Sequence, residues 1–222
     1  MASTADINRQ DGVASVIAAL VIGDGSASHP YAIAPALFRG PEAARNLADA
    51  AHFLCLLHGR YPGVIDHAGD RVADPAARSW MFRAASGFAA ERAFLTRLVV
   101  AAGPLPSTLG QAQSEAVVTG QTHALAILSQ SDRRGTALGA AFALVLDWTT
   151  IRTVLVAAAA RFGLEMPPLD LPSLEDTLAT ARAVAVTPGI ERAIGFGAQQ
   201  LLVQHRGLWD LLETRQMARR DS

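Results

Sequence analysis

Apolar residues recur every three to four positions along most of the 222-residue chain, and hardly any segment alternates between apolar and polar as a strand does. Proline, glycine and helix-capping residues interrupt this period and divide the chain into about six to seven helices. The pattern predicts an all-α protein built as a single helical bundle. The predicted helices cover residues 13–22, 41–59, 75–102, 108–129 and 136–162, then a segment capped by Ser173, and finally residues 188–215.

One predicted helix, residues 136–162, is apolar around most of its circumference rather than along one stripe. Such a helix is normally surrounded by others, so we place it at the centre of the bundle. The bundle domain then spans residues 41–215. Residues 1–40 form a helix and a loop that pack on the bundle or flank it, and residues 216–222 are expected to be a frayed tail.

Several ionisable residues fall on the apolar side of their predicted helices when successive residues are placed about 100° apart. They are Glu91, His58, Asp147, Arg152 and His205. An unpaired carboxylate in such a position costs several kcal/mol, so it must be protonated, paired or bound to a metal.

The structural interpretation of these residues is internal pairing. Glu91 or Asp147 forms an ion pair with Arg152, and each core histidine donates a hydrogen bond to a carbonyl or carboxylate oxygen. In this interpretation the polar groups only complete the core.

A second interpretation is a metal site, because a helical bundle can gather side chains from several helices around one ion. The ligands would be Glu91, His58, His205 and Asp147, holding iron or another divalent metal in a di-iron-like oxidoreductase. Di-iron bundles usually supply a glutamate and a histidine three residues apart, and no such pair occurs in this sequence.

A third interpretation is an internal site for a small ligand. The residues that would contact the ligand are Glu91, Asp147, Arg152, Trp148 and Phe88. An apolar ligand would need a large cavity lined by Phe88, Phe142 and Trp148.

Other polar groups are given ordinary roles. His52 and Asp49 are expected on the surface of their helix, and residues 61–75 are expected to be a loop that keeps its acidic side chains in water. Ser107 or Thr108 is expected to cap the helix that follows.

Composition excludes several functions. A formal net charge of −1 provides no field that attracts nucleic acid or anionic lipid, so neither partner is expected. All 19 basic residues are arginine, which rules out Schiff-base formation, pyridoxal phosphate attachment and a Walker lysine. No membrane span is expected, because Asp147 and Arg152 interrupt the most apolar segment. Cys55 is the only cysteine, so no intramolecular disulfide can form and a cytoplasmic location is expected.

Three segments carry a resemblance to known sequences. They are AERAFL (90–95), AAGPLPSTLGQAQSEA (101–116) and SDRRGTALGAAFALVLDW (131–148). Over roughly residues 90–162 the chain resembles a family of uncharacterised all-helical proteins from alphaproteobacteria. The resemblance implies a cytosolic bacterial helical protein and assigns no catalytic residue.

The function expected first is binding. Half of the residues are hydrophobic, and exposed apolar helix faces often mark interfaces. We therefore expect a helical bundle that binds a protein partner or a second copy of itself. The alternative is an enzyme or ligand-binding bundle with an internal carboxylate–histidine site.

Overall fold

The computed structural model describes residues 4–72 and 74–220, with side chains from residue 12 onwards. Within these residues the chain forms helices joined by turns, without strands, so the predicted all-α class is confirmed. Residues 1–3 and 221–222, at the ends of the predicted N-terminal segment and tail, lie outside the described residues. The helices are α1 (Thr4–Asp24), α2 (Pro35–Phe38), α3 (Ala43–His58), α4 (Val64–Arg71), α5 (Pro75–Ala102), α6 (Gln111–Ser129), α7 (Thr136–Arg161), α8 (Leu174–Val184) and α9 (Pro188–Arg220).

Two predicted helix starts are confirmed by their caps. Asp74 Oδ1 accepts a hydrogen bond from Ala76 N at 3.0 Å, and Pro75 is the first residue of α5. Ser173 Oγ accepts a hydrogen bond from Asp176 N at 3.0 Å at the start of α8. These oxygens satisfy backbone N–H groups that the first turn of a helix leaves free.

The start of α6 differs from the prediction, because neither Ser107 nor Thr108 caps it. The helix begins at Gln111, directly after Gly110, whose φ of 77° is left-handed. Glycine takes a positive φ without the steric cost of a Cβ, so the chain turns there and not at the hydroxyl residues.

Part of the segment expected to be a solvated loop is the helix α4. Asp66 closes its first turn by accepting a hydrogen bond from Gly63 N at 2.8 Å, and it also pairs with Arg92 of α5 at 2.7 Å. The Asp66 side chain is only 12% exposed. The solvated interpretation is therefore wrong for this carboxylate, which neutralises an arginine that is itself largely buried.

Helix α7 occupies the centre of the bundle, as predicted. It contacts α1, α3, α4, α5, α6, α8 and α9. The four consecutive residues Phe142, Ala143, Leu144 and Val145, which point about 100° apart around the helix, are each at most 1% exposed. An apolar helix enclosed on all sides buries its whole circumference, which explains the absence of a polar stripe in its sequence.

By length and composition α7 is apolar enough to cross a membrane, in spite of Asp147 and Arg152. The expectation that the chain has no membrane span stays a prediction. Of the apolar window in this helix, 72% is buried inside the bundle, and the core helix of a soluble protein passes the same test.

Helices α7 and α9 approach each other closely at two glycines. A Cβ added to Gly139 would lie 2.0 Å from the carbonyl oxygen of Ile194, and one added to Gly197 would lie 2.0 Å from the carbonyl oxygen of Thr136. Both distances are far below van der Waals contact, so only glycine fits at either position. This approach packs the first turns of α7 against the N-terminal third of α9.

Helix α9 continues to Arg220, where residues from 216 onwards were expected to fray. Arg215 and Arg219 both reach Asp49 of α3. Asp49 accepts two hydrogen bonds of 3.0 Å from Arg215 and one of 2.5 Å from Arg219. A buried carboxylate needs such partners, so this cluster holds the end of α9 against α3.

The same cluster corrects two sequence-based expectations. Asp49 is 1% exposed and does not lie on the surface. Thr108 is buried, and its hydroxyl accepts hydrogen bonds from Arg215 and Arg219 instead of capping α6. His52 is half-buried, and its Nε2 lies 2.8 Å from the carbonyl oxygen of Gly103.

Candidate functional site

Four buried polar side chains meet where α3 ends and the middles of α7 and α9 cross. His58 is the last residue of α3, Asp147 lies on α7 and His205 on α9, and Ser26 belongs to the short turn after α1. Each of the four is at most 4% exposed. The sequence pattern predicted a core position for three of them, and the structure shows that they touch.

The four side chains form a continuous chain of hydrogen bonds. His58 Nε2 lies 2.9 Å from His205 Nε2, and His205 Nδ1 lies 2.6 Å from Asp147 Oδ2. Ser26 donates to both carboxylate oxygens, from its backbone N to Oδ1 at 2.7 Å and from Oγ to Oδ2 at 2.6 Å. Trp209 Nε1 in turn donates to Ser26 Oγ at 2.8 Å. Three hydrogen bonds, two from Ser26 and one from His205, thus hold the carboxylate of Asp147 in place.

The environment of Asp147 keeps it ionised. Burial alone would raise its pKa, but the hydrogen bonds from His205 and Ser26 outweigh burial and hold the pKa below its usual value. Gly25 leaves space for this arrangement, since a Cβ there would lie 2.8 Å from Asp147 Oδ1.

The environment of His58 keeps it neutral. Burial first, and the neighbouring His205 second, hold the pKa of His58 well below its usual value. The imidazole ring is enclosed by aromatic edges, with its centroid 5.6 Å from that of Trp148 and 6.2 Å from that of Phe88. An apolar enclosure of this kind disfavours the charged form of a histidine.

The hydrogen-bond chain fixes the donor at one end. A carboxylate oxygen only accepts, so His205 Nδ1 donates to Asp147. Between the two histidines one Nε2 donates and the other accepts. When His205 is neutral its Nε2 accepts, His58 Nε2 donates, and the lone pair of His58 is on Nδ1.

A cavity of about 270 Å³ lies beside His58. Leu57, Val64, Phe88, Leu125 and Ala126 form its apolar wall, and Arg60, Tyr61 and His67 also line it. His58 is the histidine of the hydrogen-bond chain that lines this cavity. The site therefore joins an ionised buried carboxylate, through two imidazoles, to a small apolar space.

A second buried cluster lies on the other side of Trp148. Glu91 Oε1 accepts from Arg152 Nη1 at 2.8 Å and Glu91 Oε2 accepts from Trp148 Nε1 at 3.0 Å. Arg152 also donates to the carbonyl oxygen of Pro167. The pairing of Glu91 with Arg152 is one of the alternatives that the sequence offered, and it satisfies both oxygens of the carboxylate.

The four residues predicted as metal ligands do not gather around one point in the structure. Glu91 belongs to the Arg152 cluster, and Asp147 and the two histidines direct their nitrogen and oxygen atoms at one another in hydrogen bonds. Among the described residues no group of three or more histidine, cysteine or acidic side chains is arranged to hold a metal ion.

The cavity expected for an apolar ligand is also differently placed. Of the three aromatic residues predicted to line it, only Phe88 lines the cavity beside His58. Trp148 is fully buried between Phe88 and His58, and Phe142 is fully buried against Trp80 with ring centroids 4.7 Å apart. Glu91, Asp147 and Arg152, predicted as ligand contacts, do not line this cavity either.

Sequence reasoning missed Ser26, Trp209 as a hydrogen-bond donor, and the residues around the cavity mouth. Ser26 and Arg60 lie in turns, where helical periodicity gives no direction to a side chain. The sequence signal that could have pointed to Ser26 is the segment GDGS at residues 23–26. Glycine on both sides of an acidic residue permits other groups to approach the backbone closely.

Comparison with known proteins gives one family. The sequence profile described as "Family of unknown function (DUF6975)" matches residues 21–220, which includes every residue of the site. No curated protein matches the chain. No solved structure matches it.

Proposed function

The chain belongs to the family of unknown function DUF6975, and from the geometry of its site we propose that it is an acid–base enzyme. Its reaction is the removal of a proton from a small molecule bound in the cavity beside His58. His58 is the general base, and His205 with Asp147 accepts the charge that the reaction creates.

One observation carries this proposal: the hydrogen-bond chain from Asp147 through His205 ends at His58, which lines a cavity. When both histidines are neutral, Nδ1 is the ring nitrogen of His58 that carries the lone pair. A basic nitrogen beside a space for a small molecule is what a general base requires.

The proton moves in two steps along the chain. His58 Nδ1 takes the proton of the bound molecule, whose bonding electrons remain on that molecule. His58 Nε2 then passes its own proton to His205 Nε2, so that His58 is neutral again. The positive charge rests on His205, whose Nδ1 lies 2.6 Å from the carboxylate of Asp147.

This relay explains how a buried histidine can act as a base. A protonated His58 is disfavoured because its ring is buried and enclosed by Phe88 and Trp148. A protonated His205 is paired with a carboxylate, and such a pair is much cheaper in an apolar interior than an isolated charge. Proton transfer from His58 to His205 therefore moves the positive charge next to the carboxylate of Asp147, which stabilises it.

The test uses 5-nitrobenzisoxazole, a small neutral aromatic probe. When a base removes its C–H proton, the electrons of that bond form a nitrile, the N–O bond breaks and a coloured phenolate is released. The wild-type protein is expected to accelerate phenolate release with saturation. His58→Gln keeps an N–H donor for His205 but has no basic nitrogen, and should lower kcat/KM by about 100-fold.

Two further variants make the test specific. Asp147→Asn keeps the size of the side chain but removes the charge that stabilises protonated His205, and should lower kcat/KM by about tenfold or more. His123→Gln, at an exposed position on α6, is the matched control and should leave the rate unchanged. Equal rates for wild type and a folded His58→Gln variant would contradict the proposal.

Binding, the function expected first from the sequence, is our second proposal, in the form of self-association. A groove of about 390 Å³ between α6 and α9 is lined by Ile127, Leu128 and Phe196, and Ile127 is 61% exposed. Exposed apolar grooves of this kind support an interface. Light scattering over a range of concentrations should show a dimer that Ile127→Gln weakens, and a monomer at every concentration would oppose it.

We propose a cytoplasmic location in a bacterium, on grounds independent of the site. The single cysteine, Cys55, is free, and burial raises the pKa of its thiol, which keeps it in the unreactive protonated form. Fractionation of the native host with an antibody to this protein tests the location directly.

A further inference from the structure

We infer that the molecule bound beside His58 is a small organic monoanion, whose carboxylate is held at the cavity mouth by Arg60 and whose apolar body lies against Phe88 and Leu125. This inference rests on the proposed function, because it takes His58 as the group that faces the reacting proton.

The charges around the cavity favour an anion. The residues that line the cavity include the basic residues Arg60 and His67 and no acidic residue. Asp66 of α4 is already paired with Arg92 at 2.7 Å. Arg60 is exposed and makes no hydrogen bond or ion pair with any described residue, so its guanidinium is available to a ligand.

The wall of the cavity favours an apolar body over a polyol. Of the three hydroxyl-bearing residues that line it, Thr122 and Ser129 use their hydroxyl groups within the protein: Thr122 Oγ1 donates to the carbonyl oxygen of Val118, and Ser129 Oγ donates to that of Ala126. The third, Tyr61, is 79% exposed. Leu57, Phe88 and Leu125 offer only apolar surface. A molecule with several hydroxyl groups would lose its hydrogen bonds to water without replacing them.

The size of the cavity and the number of donors limit the ligand further. At about 30 Å³ for a water-sized group, a cavity of 270 Å³ holds roughly nine such groups. One planar guanidinium matches one carboxylate through two parallel hydrogen bonds. A phosphate dianion needs more donors, and the N–H of Gly63 that could supply one is already bonded to Asp66. A monocarboxylate is the anion that fits.

The experiment compares benzoate with benzamide, which have the same shape and differ in charge. Isothermal titration calorimetry of the full-length protein should show that benzoate binds at least about tenfold more tightly, since hydrogen bonds to charged groups contribute about 1.5–3 kcal/mol. Arg60→Gln should weaken benzoate binding by about tenfold and leave benzamide binding unchanged. Arg78→Gln, which removes an exposed arginine of α5 away from the cavity, is the control and should bind benzoate as the wild type does.

Benzoate should also inhibit the wild-type reaction with 5-nitrobenzisoxazole competitively. Equal affinity for benzoate and benzamide, no binding of either, or no effect of Arg60→Gln would each overturn the inference. These outcomes leave the loss of the reaction in His58→Gln unaffected, so a failure here is distinguishable from a failure of the proposed function. If the wild-type protein has no activity that depends on His58, the proposed function fails even when benzoate binds at Arg60.

Discussion

At the scale of single residues, the carboxylate of Glu91 makes the clearest prediction. Removing it in Glu91→Ala leaves the buried charge of Arg152 without a counter-charge and the indole N–H of Trp148 without an acceptor. We expect the free energy of unfolding to fall by about 3–5 kcal/mol, as for other broken buried pairs. Urea unfolding followed by circular dichroism measures the loss.

Two further variants separate the pair from simple truncation. Glu115→Ala removes an exposed glutamate from α6 and should change the stability by less than about 0.5 kcal/mol. The double variant Glu91→Leu with Arg152→Met replaces both charges by apolar groups and should be more stable than Glu91→Ala alone. A double variant less stable than the single one would show that the pair is not the source of the loss.

The sequence predicted that these ionisable residues are buried, but it did not predict which side chains they contact. Helical periodicity places Glu91, Asp147 and His205 in the core because each lies inside a long regular helix. Whether Arg152 pairs with Glu91 or Asp147 depends on the rotation of one helix against another, which the sequence of a single helix does not contain. Ser26 completes the site from a turn, where no period applies.

At the scale of helices, the close approach of α7 and α9 makes the second prediction. Gly139→Ala and Gly197→Ala each place a Cβ against a backbone carbonyl oxygen that cannot move independently of its helix. We expect each to lower the free energy of unfolding by about 2–3 kcal/mol, the cost of overpacking a rigid core. Both should also slow the reaction with 5-nitrobenzisoxazole, because separating these helices lengthens the contact between Asp147 and His205.

A glycine in open surroundings gives the matched control. Gly120 lies in the middle of α6 with nothing within 4 Å of an added Cβ. Gly120→Ala should stabilise the protein by about 0.5–1 kcal/mol, since alanine loses less backbone entropy than glycine in a helix. If Gly139→Ala were stabilising in the same way, the close packing of α7 against α9 would be refuted.

Helix positions were predicted best where local chemistry decides them. Asp74 and Ser173 cap their helices from adjacent side chains, so α5 and α8 begin where the sequence indicates. The end of α9 was missed because Arg219 is held by Asp49, which lies 170 residues earlier in the chain. When contacts with a distant part of the chain extend a helix, the sequence of that helix alone does not show where it ends.

At the scale of the whole molecule, the buried histidine predicts how stability depends on pH. The pKa of His58 lies well below its usual value near 6.5, so below about pH 6.5 the unfolded chain binds a proton that the folded protein does not. The free energy of unfolding therefore falls as the pH is lowered from about 6.5. Asp147, whose pKa is held below 3.8, adds a second loss that begins only below about pH 3.8.

The measurement is urea unfolding of wild type and His58→Gln at about pH 7 and about pH 5.5. One histidine that stays neutral in the folded protein contributes a decrease of about 1 kcal/mol over this interval. The variant should lack that part of the decrease, because it has no group to titrate there. The same pH dependence in both proteins would mean that His58 is protonated in the folded state.

The contacts of α9 also determine when the protein can reach its native state during synthesis. A nascent chain emerges with its N-terminal end first, so Ser26, Asp49 and Asp147 all leave the ribosome before Trp209, Arg215 and His205. Until α9 has been synthesised, the carboxylates of α3 and α7 have no counterpart to neutralise them inside an apolar core. The bundle therefore reaches its native state only after α9 has left the ribosome. A nonsense mutation within α9 should yield a product that cellular proteases remove, even though it keeps every helix that precedes α9.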